Sequence, residues 1–158
     1  VSPGDRVLID HPTYPNGIEA IRSVGARPVP VPLRPEAEDA WDLEGIRSAA
    51  RQTSARMAYI VADCNNPTGL SMPEAGRAEL ARIARETRMT VVVDESMAEL
   101  YLDTVVPPYL DEGARALLAE GARVVAVAVG DQRAGHGAHR VDEEIAGRAV
   151  KALWGGMK

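Results

Sequence analysis

Apolar residues along this chain fall into short continuous runs, separated by segments whose apolar positions recur at helical spacing. Arg6–Asp10 carries Val7, Leu8 and Ile9 in succession and reads as a strand, while Asn16–Val24 gathers Ile18, Ile21 and Val24 on one helical face. Gly25 is suited to end that helix. Arg27–Leu33 is extended, but Pro28, Pro30 and Pro32 alternate with valines, which predicts a strand at a sheet edge or one that leaves the sheet early. Asp42 suits the N-cap of a helix running to about Arg51, with Leu43, Ile46 and Ala50 inward. Met57–Ala62 and Thr90–Asp94 are further apolar runs that read as buried strands. Between them, Ser71 and Glu74 have capping-box spacing, with Pro73 in the first turn of a helix that turns Leu80, Ile83 and Ala84 inward and ends near Thr87. A short helical turn through Leu100, a weaker helix over Gly113–Glu120 and a strand over Arg123–Val129 continue the alternation. Strands alternating with helices predict an α/β fold, a three-layer αβα arrangement around a mainly parallel sheet.

Polar residues gather where two of these strands stop. Asn65-Asn66-Pro67-Thr68-Gly69 follows Met57–Ala62, and Asp94-Glu95 follows the three valines at 91–93. Pro67 and Gly69 break the backbone, so the asparagines belong to a turn, and the Asn66–Pro67 bond is a candidate for the cis form. Ligands of open α/β sheets bind outside the carboxyl ends of the strands. An amide and a carboxylate delivered there suit a flat polar heteroaromatic ring, the amide bonding a ring oxygen and the carboxylate a protonated ring nitrogen. Plainer roles exist for both: Asn66 as an Asx-turn residue and Asp94 as a cap for the next helix near Ser96. The Glu95 side chain should point away from the ligand face.

At 158 residues the chain has the size of a single domain, and 46% hydrophobic with 26% charged residues is a soluble globular composition. Aromatic residues make up 4% and phenylalanine is absent, so the core must be aliphatic. The net charge of −5 argues against direct nucleic-acid contact by this segment. One cysteine, Cys64, permits no internal disulfide, fits a reducing, cytoplasmic compartment and reads as a small buried apolar residue. No apolar run approaches the ~18 residues of a membrane span and no signal peptide opens the sequence, so no membrane partner is expected. His11, His136 and His139 lack ligand partners at metal spacing, so no metal site is expected. Val1–Asp5 reads as the interior of a longer frame. From Gly130 to Ala149 the regular pattern gives way to Gly, His, Arg and Ala and then a weak helical stretch, an irregular segment expected to be poorly ordered or to project from the domain.

Asn-Asn-Pro-Thr-Gly, Val-Val-Val-Asp-Glu and His11-Pro12-Thr13-Tyr14-Pro15-Asn16 together resemble the cofactor site of fold-type I pyridoxal-phosphate (PLP) enzymes, the aminotransferase class I/II family. Lys151-Ala152-Leu153-Trp154-Gly155-Gly156-Met157-Lys158 is similar to the lysine segment of the aminotransferase-like domains in MocR regulators, a branch of the GntR transcription factors. The resemblance runs to about residue 110, lapses over 130–149 and returns for that tail. It implies that the chain is one partial large domain of the PLP-transferase fold, with the family's first phosphate-binding turn upstream of Val1 and its small domain downstream of Lys158.

The roles it implies are a Schiff base from Lys151 to pyridoxal 5'-phosphate, a ring-nitrogen contact from Asp94, a phenolic-oxygen bond from Asn66 and stacking by Tyr14. Lys158 stands where the family carries an arginine to the phosphate, supplying charge without bidentate geometry. Met97 stands where many relatives carry a tyrosine. The segment 130–149 replaces a short serine-containing turn, as an insertion or an altered frame, so Lys151 is expected to be poorly aimed and the cofactor weakly held. Three functions are compatible with the resemblance. One is an aminotransferase acting between an amino acid and a 2-oxo acid, within a homodimeric parent protein. The others are an effector-sensing module of a MocR-type regulator and an inactive fragment of either.

Overall fold

The computed structural model of the chain describes residues 1–37 and 40–94, and residues 123–127 as backbone. Its elements, in chain order, are β1 (Arg6–His11), α1 (Pro15–Ser23), β2 (Arg27–Pro32), α2 (Leu43–Thr53), β3 (Met57–Ile60), α3 (Glu74–Thr87), β4 (Thr90–Asp94) and β5 (Arg123–Val127). The strands form one sheet in the order β2-β1-β3-β4-β5, with every neighbouring pair parallel.

Side chains alternate across a strand, and the core divides accordingly. Leu8, Ala58, Ile60, Val91 and Val93 face Ile46 of α2 and Leu80 and Ile83 of α3. Val7, Ile9, Met57, Tyr59 and Val92 face Ala20 and Ile21 of α1. Helices therefore cover both faces, giving the three-layer αβα fold, and β1, β3 and β4 are buried on both sides as an interior parallel strand requires, while in β2 only Val31 is buried.

Local chemistry explains the element ends. Asp42 caps α2, its Oδ1 accepting from the Gly45 amide at 2.9 Å. Gly25 follows α1 in the left-handed region, at φ +74°, as the sequence leads one to expect of a terminator. In β2 the amides of Arg27 and Leu33 donate to Asp5 and His11 of the β1 side. By alternation, Pro28, Pro30 and Pro32 turn their missing N–H toward the open edge, where no partner is required.

The capping box expected at Ser71 and Glu74 is a correction: Pro73 itself is the N-cap of α3, without a side-chain cap. The Ser71 hydroxyl accepts from the Cys64 amide at 3.1 Å, so a loop contact takes the role that spacing alone assigned to the helix. The expectations for Leu100, Gly113–Glu120 and Gly130–Ala149 lie outside the described residues, as does the last part of Arg123–Val129.

Candidate functional site

A parallel sheet brings all its carboxyl ends to one edge. Ile60 pairs with Val93, so β3 leaves the sheet level with the end of β4, and Asp94 lies on the same edge as the loop that follows β3. Tyr14, three residues past the end of β1, joins them there.

The loop from Val61 to Met72 is folded on itself. Asn65 is buried; its Nδ2 donates to the Val61 carbonyl and its Oδ1 accepts from the Thr68 hydroxyl at 2.8 Å. Its backbone closes the turn, the carbonyl taking the Gly69 amide at 2.6 Å and the amide giving to Leu70 at 2.8 Å. Gly69 sits at φ +71°, where a side chain would be strained. The Asn66–Pro67 bond is cis, as is His11–Pro12. The Asx-turn role considered for Asn66 thus falls to Asn65, and Asn66 is exposed at the tip.

At the base of the loop lies a buried ion pair. Arg77 of α3 donates to both oxygens of Asp63, at 2.6 and 3.2 Å, and its Nε donates to the Met72 carbonyl at 2.9 Å. Both side chains are 2% exposed. The fork reaches the start and the end of the loop together, a task for which a planar guanidinium is suited.

Asp94 is buried at the end of β4 and accepts a hydrogen bond from the hydroxyl of Tyr59. Tyr59 is in register with Val92, so Asp94, two residues on, lies on the same face within reach of an aromatic side chain. Its ring rests on Gly17 of α1, where a Cβ would come within 2.8 Å of the ring. Burial first, and then the Asp94 charge, hold the Tyr59 phenol well above its ordinary ionisation range. Tyr14 is half-buried, begins α1, and its hydroxyl accepts from Asn16 Nδ2 at 2.8 Å. Beside it, Thr13 Oγ1 is buried without a hydrogen-bond partner, which is so of no other side-chain polar atom among the described residues.

Asp10, at the end of β1, accepts from the Val61 amide at 2.9 Å and from the Trp41 indole at 3.2 Å. Burial pushes its carboxyl up to about 7, against the pull of those two donors.

Of the residues singled out in the sequence, the structure brings Tyr14, Asn66 and Asp94 to one edge. Lys151, Lys158, Glu95 and Met97 lie outside the described residues. Cys64 is corrected: it is half-buried, not enclosed, and stands at a left-handed turn position, φ 42°, in the loop after β3. Sequence reasoning missed Tyr59, Arg77, Asp10 and Thr13. A phenol inside an otherwise apolar strand run was the available signal for Tyr59, and a glycine inside a helix the signal for its neighbour Gly17. Among the described residues no cluster of His, Cys, Asp or Glu could hold a metal ion, and no helix is long and apolar enough to cross a membrane.

The family model described as aminotransferase class I and II matches residues 1–130. The 2-aminoadipate transaminase of Thermus thermophilus is 32% identical over 112 residues, covering 71% of this chain and 28% of that protein. An uncharacterized HTH-type transcriptional regulator of Escherichia coli, YjiR, is 28% identical over 98 residues, covering 62% of this chain and 20% of the regulator. Among solved structures, the α-aminoadipate aminotransferase LysN of T. thermophilus, complexed with N-(5'-phosphopyridoxyl)-L-leucine, superposes with a TM-score of 0.69 at 30% identity. That match covers 81% of this chain and 32% of the LysN chain. The chain thus spans less than a third of each of these relatives.

Proposed function

Because the chain belongs to the aminotransferase class I and II family, we propose that it forms part of the large domain of a PLP-dependent aminotransferase that moves an amino group between an amino acid and a 2-oxo acid. The observation that carries this reading is the exposed Asn66 amide and the buried Asp94 carboxylate at the ends of adjacent parallel strands. When bound, pyridoxal 5'-phosphate supplies a carbonyl for the amino group and a protonated ring that draws electrons from the substrate α-carbon.

The residues present fit such a group. Asp94 offers a carboxylate to the ring nitrogen and keeps its proton in place, while the Asn66 amide donates to the ring oxygen. Tyr14 offers a half-buried aromatic face, and the unpartnered Thr13 hydroxyl is a polar atom awaiting a bond at the same edge. In this reading Lys151 would be the reactive amine and Lys158 would attract the phosphate. The parent protein is a cytoplasmic homodimer, and the segment contacts neither nucleic acid nor membrane.

Lys151 and Lys158 are the chain's only lysines, which makes the reading simple to test. Borohydride reduction after exposure to PLP, followed by peptide mapping, tests it: label concentrated on Lys151 and lost in Asp94→Ala would support the reading and show that the site assembles despite the expectation that this lysine is poorly aimed. Label shared between both lysines and the amino terminus, unchanged in Asp94→Ala, would mean that the family fold persists without the family chemistry.

A second reading is favoured by the likeness to the regulator YjiR: the same edge serves as the effector-sensing part of a MocR-type transcriptional regulator. Sequencing the flanking DNA separates the two, since a helix-turn-helix in the same frame is expected only of a regulator.

A further inference from the structure

We propose that Tyr59 is a positioning residue, which orients the Asp94 carboxylate for a protonated heteroaromatic nitrogen in the crevice. The inference rests on the reading of Asp94 as the ring-nitrogen partner.

Three observations carry it. First, Tyr59 stands in a strand whose other members are Met57, Ala58 and Ile60, and it is 3% exposed, so its hydroxyl must find a protein partner. The partner is Asp94 Oδ2 on the neighbouring strand. Second, the ring itself has little freedom. It is packed among Ile9, Ile21 and Val92, and α1 approaches it through Gly17, where any side chain would collide with it. A rigid ring turns a single hydrogen bond into a directional support, because the donor cannot follow the carboxylate if the carboxylate rotates. Third, the phenol remains a donor throughout the working pH range, since burial and the Asp94 charge together keep it from ionising. A carboxylate has about four acceptor directions, so one fixed donor steers the group without consuming it. Phenylalanine would fill the same volume, and the oxygen is the part that packing does not explain.

The test compares Tyr59→Phe with the wild-type chain in binding PLP and its 1-deaza analogue, in which a C–H replaces the ring nitrogen. Tyr59→Phe keeps the ring on Gly17 and removes one atom. Wild type is expected to prefer PLP, and the variant to lose about tenfold of that preference, the scale of one hydrogen bond to a charged group, with the analogue's affinity unchanged. A merely structural tyrosine would weaken both ligands equally. Equal losses, or no loss, overturn the inference while leaving Asp94 in its role. A wild-type chain that does not discriminate, or binds neither ligand, removes the role of Asp94 and the inference with it. A cofactor-free measurement tests the contact itself. The hydroxyl proton of Tyr59, identified in the proton spectrum by its absence in Tyr59→Phe, should resonate downfield in the wild-type chain and move upfield in Asp94→Asn, and an unmoved resonance overturns the proposal.

Discussion

Asp10 shows how a single buried carboxyl can write itself into the behaviour of the folded chain. Burial raises it from 3.8 to about 7 even though the Val61 amide and the Trp41 indole both donate to it. Its folded value lies above its unfolded one, so between those pH values the folded state keeps a proton that the unfolded chain has released. The contribution of Asp10 to stability is therefore greatest below about 3.8, falls as pH rises toward about 7, and is flat beyond. Asp10→Asn cannot titrate, although its amide nitrogen would face one of the two donors and cost stability at every pH. Urea unfolding over this range should show wild type losing stability relative to Asp10→Asn as pH rises. Parallel curves would show that Asp10 does not hold a proton in the folded chain. Nothing in the sequence marks this group, because an acid at a strand end reads equally as solvated, and only the fold brings Trp41 across it.

Between β3 and α3, the polar loop depends on the Asp63–Arg77 pair. Removing one partner from a buried pair leaves a charge without compensation, at a cost of roughly 3–5 kcal/mol, whereas replacing both with apolar groups is often neutral. Arg77→Met is accordingly expected to destabilise strongly in chemical denaturation, and Asp63→Leu combined with Arg77→Met to recover most of the loss. The recovered protein should still show faster hydrogen exchange at the Asn65 and Gly69 amides, since the hydrogen bonds by which Arg77 joins Met72 and Asp63 to α3 are then gone. If the double variant protects those amides as wild type does, the pair is not what orders the loop. The loop's existence was legible from Pro67 and Gly69, and its place from the apolar run before it. The division of labour between Asn65 and Asn66 was not legible, because two adjacent amides satisfy the same turn chemistry and burial alone separates them. Ser71 misled for a related reason: cap spacing is local, while its hydroxyl serves a contact seven residues back.

Over the whole molecule, the alternation of strands and helices sufficed to read a parallel α/β sheet, because both signals repeat within each element. The proline spacing allowed an edge position or an early exit from the sheet, and among the described strands β2 takes the edge. What stayed hidden were side chains whose meaning depends on a partner from another element, Tyr59 with Asp94 and Arg77 with Asp63. The cofactor reading has the same long-range character, drawing on groups from Tyr14 to the final residue. The resemblance puts Lys158 in the place of the family's phosphate arginine, and in the proposed reading a point charge would replace a planar fork that can hold two phosphate oxygens at once. Bonds to charged groups are each worth roughly 1.5–3 kcal/mol, and about 1.4 kcal/mol is tenfold in affinity. Lys158→Arg is therefore expected to tighten PLP about tenfold in an absorbance titration. Pyridoxal, which has the same ring and aldehyde but no phosphate, should bind both proteins alike. A gain for pyridoxal as large as that for PLP would show that residue 158 acts on something other than the phosphate. No gain for either ligand would take the chain's last residue out of the site, leaving Tyr14, Asn66 and Asp94 to hold the ring without it.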